Sequence, residues 1–284
     1  MAEDKKITVC PMCAHQELVR FFTYHQPPAV EVKFKFVEGM EYYREYWRCR
    51  SCGHFISRHD IDLSGFYSGD YVTSTYRDEA GLLRHFERII ALSPADSDNA
   101  GRSARIHEFA AKHFQNGKKS GTLLDVGSGL GVFPYVMKKF GWQCTALDPD
   151  ERAVKHLKKR VGVEAVLGNF MAVDNLGAFD IITFNKVLEH VKDPVAMLRR
   201  SLAFLKPGGF VYIAVPDGET ASLEGQEREE FAIEHWHVFS QASLMRLVEK
   251  AGFIPKEIER LKEPSTKYTL RAFLVAAQEK VKRF

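Results

Sequence analysis

Three alternating glycines follow an acidic residue in the segment Thr122–Gly131, TLLDVGSGLG. Two apolar residues lead into Asp125, and Gly127, Gly129 and Gly131 come next. An apolar run that breaks into closely spaced glycines is typical of a buried strand that ends in a tight loop. Glycine is needed there because a Cβ atom would hinder both a sharp turn and the close approach of a ligand. A helix that follows such a loop points its free N–H groups at that ligand.

The spacing of these residues indicates the kind of ligand that the loop holds. A dinucleotide-binding fingerprint reads G-x-G-x-x-G, whereas here the third glycine comes one residue early and Val132 stands in its place. The carboxylate of Asp125 at the end of the first strand disfavours an anionic pyrophosphate and suits a ligand with an ammonium group. S-adenosylmethionine carries both an ammonium and a sulfonium group.

Composition and charge limit the classes of protein to which the chain can belong. Its 284 residues, 45% of them hydrophobic, suit one large domain or one domain with a small module attached. The 40 basic and 37 acidic residues leave a net charge of +3, which argues against a nucleic-acid or membrane-surface protein. No apolar run approaches the roughly 20 residues of a membrane span, and no secretion signal is visible. We therefore expect a cytoplasmic protein.

Four of the five cysteines form two C-x-x-C pairs, Cys10 with Cys13 and Cys49 with Cys52. In a reducing cytoplasm such pairs favour a metal over disulfides. Each pair fits a turn that presents two thiolates to one ion, and four thiolates complete a closed, structural zinc site. Gly53 supplies the unhindered backbone that such a turn needs. The alternatives are a redox pair or reduced cysteines packed as small hydrophobic side chains.

The predicted zinc-binding module spans residues 1–62. Residues 32–36 (VKFKF) and 42–48 (YYREYWR) are predicted to form strands. Ten aromatic side chains fit the core of a small β module, and its histidines, His15, His25 and His54, are expected on the surface. Nine basic and eight acidic residues in positions 1–60 leave no electrostatic footprint for nucleic acid.

Residues 63–120 are predicted to link this module to the main domain. The stretch 61–80 is rich in Tyr, Ser and Gly and predicts a loop, in which Tyr67, Tyr71 and Tyr76 either line a substrate pocket or cover the edge of the core. Apolar residues then recur with helical spacing over 81–91 and 100–114.

From residue 121 to 284 the sequence alternates between strand and helix patterns, which predicts a doubly wound, mostly parallel seven-stranded sheet with helices on both faces. The predicted strands are 122–126, 143–147, 165–167, 179–184, 210–215, 255–261 and 270–277, and the predicted helices are 132–140, 150–160, 194–204 and 240–251. No good helix separates the last two strands, so we expect a hairpin that makes one strand antiparallel. Lys206–Gly209 (KPGG) predicts a turn before the fifth strand.

Polar residues stand where the predicted strands end, and ligands bind there in sheets of this kind. Asp148 follows the second strand and can bind both ribose hydroxyls, although Asp148 and Pro149 also fit the cap and first residue of the next helix. Asn169 and Phe170 follow the third strand, where an amide and a ring suit the edge and the face of adenine. Asn185 ends the fourth strand, where it would reach the centre of the ligand.

As an ordered set, the motifs LLDVGSGLG, LDPD, GNF, FDIITFNKVLEHVKDP and LKPGG resemble a class I S-adenosylmethionine-dependent methyltransferase. The resemblance implies that Asp125, Gly127 and Gly129 hold the methionine end of the cofactor and that Asp148 holds its ribose. The family usually has Asp where this chain has Asn169, which keeps a hydrogen-bonding group but removes a charge.

The front of the chain narrows the resemblance. WRCRSCG and FYSGDY ahead of the methyltransferase-like part, together with Glu234-His235 before Phe239-Ser240, resemble sugar C-methyltransferases and other enzymes of glycan biosynthesis. The resemblance implies a sugar-like small-molecule acceptor, a histidine base, and tyrosines from the loop after the zinc module in the acceptor site.

A hydroxyl acceptor needs a base, because the pKa of a sugar hydroxyl is very high. The candidates are His235 as base, Glu234 as the group that orients it, and His237, since histidine suits this role near neutral pH. The alternative is that both histidines only tie this segment, whose polar centre predicts a mobile lid, to the domain. His190 is expected to begin a helix or line the acceptor pocket rather than to act as a base.

The sequence thus predicts a methyltransferase that acts on oxygen or carbon of a sugar or nucleotide-sugar. Two alternatives remain open: an RNA methyltransferase whose zinc module presents RNA, and a cofactor-binding module without activity, for which Asn169 is the hint.

Overall fold

The computed structural model describes residues 9–29, 31, 42–61, 63, 78–114 and 120–277. In chain order its strands are β1 (Leu18–Tyr24), β2 (Arg44–Cys49), β3 (Phe55–Arg58), β4 (Thr122–Val126), β5 (Gln143–Asp148), β6 (Glu164–Leu167), β7 (Phe179–Asn185), β8 (Leu205–Pro216), β9 (His237–Val238), β10 (Phe253–Lys262) and β11 (Tyr268–Ala276). Its α-helices are α1 (Glu79–Ile90), α2 (Asp98–His113), α3 (Val132–Lys139), α4 (Glu151–His156), α5 (Pro194–Arg200), α6 (Gly218–Glu224) and α7 (Gln241–Ala251). The predictions for residues 32–36 and for Tyr67, Tyr71 and Tyr76 lie outside the described residues.

The larger sheet has seven strands in the order β10-β11-β8-β7-β4-β5-β6. The strand β4 pairs in parallel with β5 and β7, and β6 and β8 extend the parallel part on either side. The strand β11 runs antiparallel to both β8 and β10. The predicted sheet, with one antiparallel strand from a terminal hairpin, is therefore confirmed.

Neighbouring residues of β4 face opposite sides of this sheet, as strand geometry requires. Leu123 belongs to the core that includes Ile106 and Phe109 of α2. Leu124 belongs to the core that includes Leu244 and Leu247 of α7. Helices therefore cover both faces, as the alternating pattern predicts.

The turn predicted for Lys206–Gly209 is present as a bulge within β8, because Leu205 pairs with Phe179 and Phe210 with Ile181, and Gly208 between them has a positive φ of 76°. The register of β7 and β8 shifts at this point, and pairing resumes between Phe179 and Leu205. A Cβ atom at Gly209 would lie 2.7 Å from the carbonyl oxygen of Asp180, so glycine is what allows the two strands to stay close here.

The smaller sheet, with the strand order β1-β2-β3-β9, joins distant parts of the chain. Its pairs are antiparallel, and β9 pairs Val238 with Phe55 and His237 with Ile56. The strand predicted over 42–48 is present as β2. Because β9 comes from the connection after β8, the N-terminal sheet includes the segment in which the sequence places the candidate base.

The polar centre of that connection, predicted as a mobile lid, contains α6 and a 3-10 turn at Glu229–Phe231. Asp217 caps α6 and forms an ion pair with Arg260 at 2.7 Å. Within the described part of the chain, no helix is both long enough and apolar enough to span a membrane.

Candidate active site

Asp125 lies at the carboxyl end of β4 with only 2% of its surface exposed. One carboxylate oxygen, Oδ1, accepts hydrogen bonds from the Thr183 hydroxyl (2.7 Å) and the Asn185 side-chain amide (2.9 Å). Burial raises the pKa of Asp125 to about 6, and these donors oppose the rise. The amide oxygen of Asn185 is buried and has no hydrogen-bond partner among the described residues. An unpartnered acceptor beside a carboxylate fits a ligand ammonium group.

Asp148 lies at the end of β5 and binds the glycine loop. Its Oδ2 accepts the N–H of Gly129 at 2.8 Å, and its Oδ1 accepts the N–H of Asp150 at 2.9 Å. The alternative of Asp148 as helix cap is wrong, because Asp150 caps α4 by accepting the N–H of Arg152 at 2.8 Å. Pro149 is thus an exposed residue ahead of the cap, not the first residue of the helix. Burial raises the pKa of Asp148.

The three glycines of the loop have positive φ angles of 70°, 48° and 71°, but they meet different surroundings. A Cβ at Gly127 would lie 2.8 Å from Val187, and one at Gly131 would lie 2.5 Å from Leu157. Among the described residues, a Cβ at Gly129 would meet nothing within 4 Å. Gly131 therefore lets α3 pack closely on the turn after α4, while no described side chain occupies the space beside Gly129.

Asn169 and Phe170 have opposite environments after β6. Asn169 is exposed, and its side-chain oxygen accepts the N–H of Met171 at 2.9 Å. The ring of Phe170 is 2% exposed and packs against Phe184 and Phe204. The prediction that this ring stacks on adenine is wrong, because the ring is part of the core.

His235 takes its orientation from the main chain. Its Nδ1 lies 2.8 Å from the carbonyl oxygen of Glu230, so this carbonyl, and not Glu234, is the group at Nδ1. A carbonyl can only accept, so Nδ1 carries the proton and Nε2 keeps a lone pair. The orienting role predicted for Glu234 is therefore corrected. Burial lowers the pKa of His235 to about 4, so the ring is neutral at pH 7.

His237 lies in the interface with the N-terminal sheet. It is 4% exposed, its Nδ1 lies 3.0 Å from Nε2 of His54, and its Nε2 lies 3.3 Å from the carbonyl oxygen of Lys192. His54 was expected on the surface, but it is fully buried, and its Nδ1 also contacts the Ser243 hydroxyl at 3.2 Å. The catalytic role predicted for His237 is corrected to a structural one because both of its ring nitrogens face protein groups.

Glu189, His190 and His235 form a cluster that the sequence analysis missed. Their ligand atoms all lie within 4.8 Å of one another. Nδ1 of His190 lies 3.1 Å from the carbonyl oxygen of Glu234, so both rings present Nε2 to other groups. Glu189 is fully buried, and neither carboxylate oxygen has a hydrogen-bond partner among the described residues. Such a set can accept a proton or hold a metal ion.

Lys186 gives this cluster a nearby positive charge. Its ammonium donates to the Thr269 hydroxyl at 2.8 Å. Burial lowers the pKa of Lys186 to about 8 and raises that of Glu189 to about 7, and each charge partly offsets the shift of the other. Lys186 directly follows Asn185, whose side-chain amide donates to Asp125.

The four paired cysteines converge at the start of the chain. All four Sγ atoms lie within 4.8 Å of one another, with Cys10 and Cys52 at 3.6 Å and Cys13 and Cys49 at 3.5 Å. Two equivalent turns shape the group: Ala14 donates to Cys10 O at 2.8 Å, and Gly53 donates to Cys49 O at 2.9 Å. Ala14 and Gly53 both have positive φ, at 61° and 71°. These residues could hold one metal ion.

The fold and the glycine loop define a class I methyltransferase. The family model described as "Methyltransferase domain" matches residues 98–255, more than half of the chain. The chain therefore belongs to the S-adenosylmethionine-dependent methyltransferases.

Individual relatives cover less of the chain. The ubiquinone biosynthesis O-methyltransferase of Caulobacter vibrioides is 33% identical over 100 residues, which are 33% of this chain and 40% of the relative. The enzyme of the same name from Bordetella bronchiseptica is 34% identical over 128 residues, 43% of this chain and 51% of the relative. The matches thus span about half, or less, of these curated relatives.

Two solved structures share the fold. The 1,6-didemethyltoxoflavin-N1-methyltransferase of Burkholderia thailandensis, with bound S-adenosylhomocysteine, has a TM-score of 0.58 and 20% identity, over 81% of this chain and 99% of that one. The magnesium protoporphyrin IX methyltransferase of Synechocystis, also with bound S-adenosylhomocysteine, has a TM-score of 0.56 and 14% identity, over 76% of this chain and all of that one.

Proposed function

We propose that the protein transfers the methyl group of S-adenosylmethionine to a hydroxyl oxygen of a small molecule. The observation that carries the proposal is the Glu189 carboxylate, which accepts no hydrogen bond from any described residue and lies beside the imidazoles of His190 and His235. One carboxylate and two neutral imidazoles can each take up a proton, so the cluster suits an acceptor that must lose a proton during the reaction. The names of the curated relatives, which are O-methyltransferases, support oxygen as the acceptor atom. The resemblance to sugar C-methyltransferases favours a sugar-like acceptor, so the experiment below includes nucleotide-sugars.

The cofactor would be held at the carboxyl ends of β4, β5 and β7. Asp125 and the Asn185 amide oxygen, which has no hydrogen-bond partner among the described residues, suit its ammonium group. Asp148 suits the ribose hydroxyls, and Gly129 carries no Cβ that would hinder the approach of the ligand to the backbone. When bound, S-adenosylmethionine supplies a methyl group on a sulfonium that is already a good leaving group. The protein's contribution is then alignment and proton removal.

His235 is the proposed base, with Nε2 accepting the acceptor's proton. Its Nδ1–H is fixed on the Glu230 carbonyl, which holds the ring and its tautomer. Burial disfavours the imidazolium of His235, and the nearby Glu189 carboxylate would offset this cost by stabilising the charge that forms when His235 takes the proton. The acceptor oxygen gains the methyl group as the carbon–sulfur bond breaks, and the proton remains on the imidazole until solvent removes it.

The four cysteines are proposed to hold one structural zinc ion. Zinc–sulfur bonds of about 2.3 Å in a tetrahedron place the sulfurs about 3.8 Å apart. Separations of 3.5 and 3.6 Å between the facing pairs are close to this value. Four thiolates leave no open position, so the metal would support the fold and would not contact the acceptor.

The experiment that tests the function is methyl transfer from S-adenosylmethionine carrying a labelled methyl group. A panel of phenols, catechols, nucleotide-sugars and a structured RNA is incubated with the purified protein, and products are identified by mass spectrometry. Label on a hydroxyl oxygen of a small molecule is the expected result. Label on carbon or on RNA, or no transfer despite binding of S-adenosylhomocysteine, would contradict the proposal.

A further inference from the structure

The segment that carries His235 is held by side chains of the N-terminal sheet. The Tyr46 hydroxyl, in the middle of β2, lies 2.9 Å from the carbonyl oxygen of Ala232 and 2.8 Å from that of His235. Tyr46 is fully buried. The single O–H of Tyr46 is thus shared between the carbonyl of His235 itself and the carbonyl three residues earlier.

Arg44, at the start of the same strand, holds the residue just before Ala232. Its Nη1 donates to the carbonyl oxygen of Phe231 at 2.7 Å, and the side chain has no exposed surface. Glu31 accepts from Nη2 at 2.8 Å and neutralises the buried charge. The guanidinium also lies 3.8 Å from the ring centre of Tyr24, whose hydroxyl donates to Gln226 O at 2.8 Å.

Aromatic rings of β1 and β2 also pack against the segment that carries His235. Phe231 is fully buried, and its ring packs edge-on against Tyr46 and Phe22, with ring centres 5.1 and 5.0 Å apart. Four carbonyls and one ring between residues 226 and 235 are therefore fixed by the N-terminal sheet. A main chain held this closely has little freedom to turn the imidazole that it carries.

We propose that Tyr46 and Arg44 are positioning residues that hold His235 in the acceptor site, so that the N-terminal sheet is part of the methyl-transfer machinery. This inference rests on the proposed role of His235. Neither side chain need touch the acceptor, because both act on the main chain of the segment that carries His235.

The four-cysteine site is joined to this arrangement through the same strand. The strand β2 begins at Arg44, passes Tyr46 and ends at Cys49, and β3 starts shortly after Cys52 and pairs with β9 beyond His235. The Ser240 hydroxyl, which caps α7, also donates to Cys52 O. A metal held by the four thiolates would restrain β2 and β3, and its removal should therefore reproduce the effect of Tyr46→Phe.

The test compares Tyr46→Phe with the matched control Tyr43→Phe in the full chain. Tyr43 is exposed, and its hydroxyl donates to the nearby Glu45 rather than to the segment that carries His235. In Tyr46→Phe, kcat should fall about 10- to 100-fold, as misplaced catalytic groups do, while KM for S-adenosylmethionine changes less than about twofold. The pKa of His235, followed by NMR and assigned with His235→Gln, should rise from about 4 toward 6.5 as water enters. The control should resemble the unchanged protein, and zinc chelation should raise the same pKa.

Unchanged kcat and an unchanged His235 titration in folded Tyr46→Phe would overturn the inference. Full activity in His235→Gln would instead overturn the role of His235 as base. The NMR titration in Tyr46→Phe would then still test whether Tyr46 holds His235 in place. Should Tyr46→Phe not fold, Tyr24→Phe removes the hydroxyl that donates to the carbonyl oxygen of Gln226. It should give a smaller loss of kcat and a smaller rise of the same pKa, and no change in either would overturn the inference.

Discussion

The Glu189 carboxylate and the His235 imidazole lie within 4.8 Å of each other, although they belong to different connections of the large sheet. Main-chain contacts hold them together. The N–H of Trp236 donates to Glu189 O at 2.8 Å, and Nδ1 of His190 faces Glu234 O at 3.1 Å. The turn after β7 and the segment before β9 thus form one unit, in which a buried carboxylate faces two neutral imidazoles.

Replacing Glu189 by Gln should lower activity and raise stability. The buried carboxylate has no hydrogen-bond partner among the described residues, and its pKa is raised to about 7. Because the folded state holds this proton more tightly than the unfolded state, stability falls as pH rises from 4.5 to 7. At pH 8 the variant should gain about 1–3 kcal/mol in unfolding free energy, measured with urea, while kcat falls about 100-fold.

The matched control for Glu189→Gln is Glu87→Gln on the exposed side of α1. Glu87→Gln should change neither the free energy of unfolding nor kcat. A Glu189→Gln protein with normal kcat would remove this carboxylate from the reaction, and one with lower stability would mean that the carboxylate is paired in solution.

Asp148→Ala should weaken the binding of S-adenosylhomocysteine at least about tenfold in calorimetry, since hydrogen bonds to a charged group are typically worth 1.5–3 kcal/mol. The side chain also fixes the N–H of Gly129. Asp150→Ala is the control on the same loop. It removes the cap of α4 and should cost about 1 kcal/mol of stability with unchanged affinity. Equal affinity losses in both variants would show that loop stability, and not ribose binding, explains the effect.

The positions of the polar side chains at the ends of β4, β5 and β7 could be predicted from sequence because their signals are local. Asp125, Asp148 and Asn185 each end a strand, and a parallel sheet places strand ends side by side. The identity of the helix cap could not be predicted, because Asp148 and Asp150 offer the same chemistry two residues apart. Only the backbone angles decide which of them begins the helix.

The acceptor side depends on contacts between residues far apart in sequence. Nothing near His237 or His54 in the chain indicates that the two rings meet at 3.0 Å. The pairing of β9 with β3 brings them together and thereby removes His237 from the set of candidate bases. The sequence does not indicate a role for Glu189 for the same reason, since Glu189 follows β7 whereas His235 lies between β8 and β9. Phe170 was misplaced because a ring after a strand fits a core or a ligand equally well by sequence.

Cys49→Ser should abolish the binding of zinc, whereas Cys144→Ser should not. Both thiols are buried, but only Cys49 belongs to the group whose Sγ atoms converge. Metal analysis of freshly purified protein should give about one zinc per chain for the unchanged protein and for Cys144→Ser, as a closed tetrathiolate site requires. Absence of zinc in all three proteins would contradict the proposed site.

Acid should destabilise the protein through the buried pair of His54 and His237. Burial lowers the pKa of His237 from 6.5 to about 4, so the unfolded chain binds a proton that the folded state excludes. This stability is present above pH 6.5 and is lost as pH falls toward 4, by about 2 kcal/mol at pH 5 for this histidine. His237→Gln should therefore show a smaller difference in unfolding free energy between pH 7.5 and pH 5 in urea titrations. His25→Gln, at an exposed histidine, should keep the full difference. If both variants lose stability with acid to the same extent, the His54–His237 pair does not carry the pH dependence.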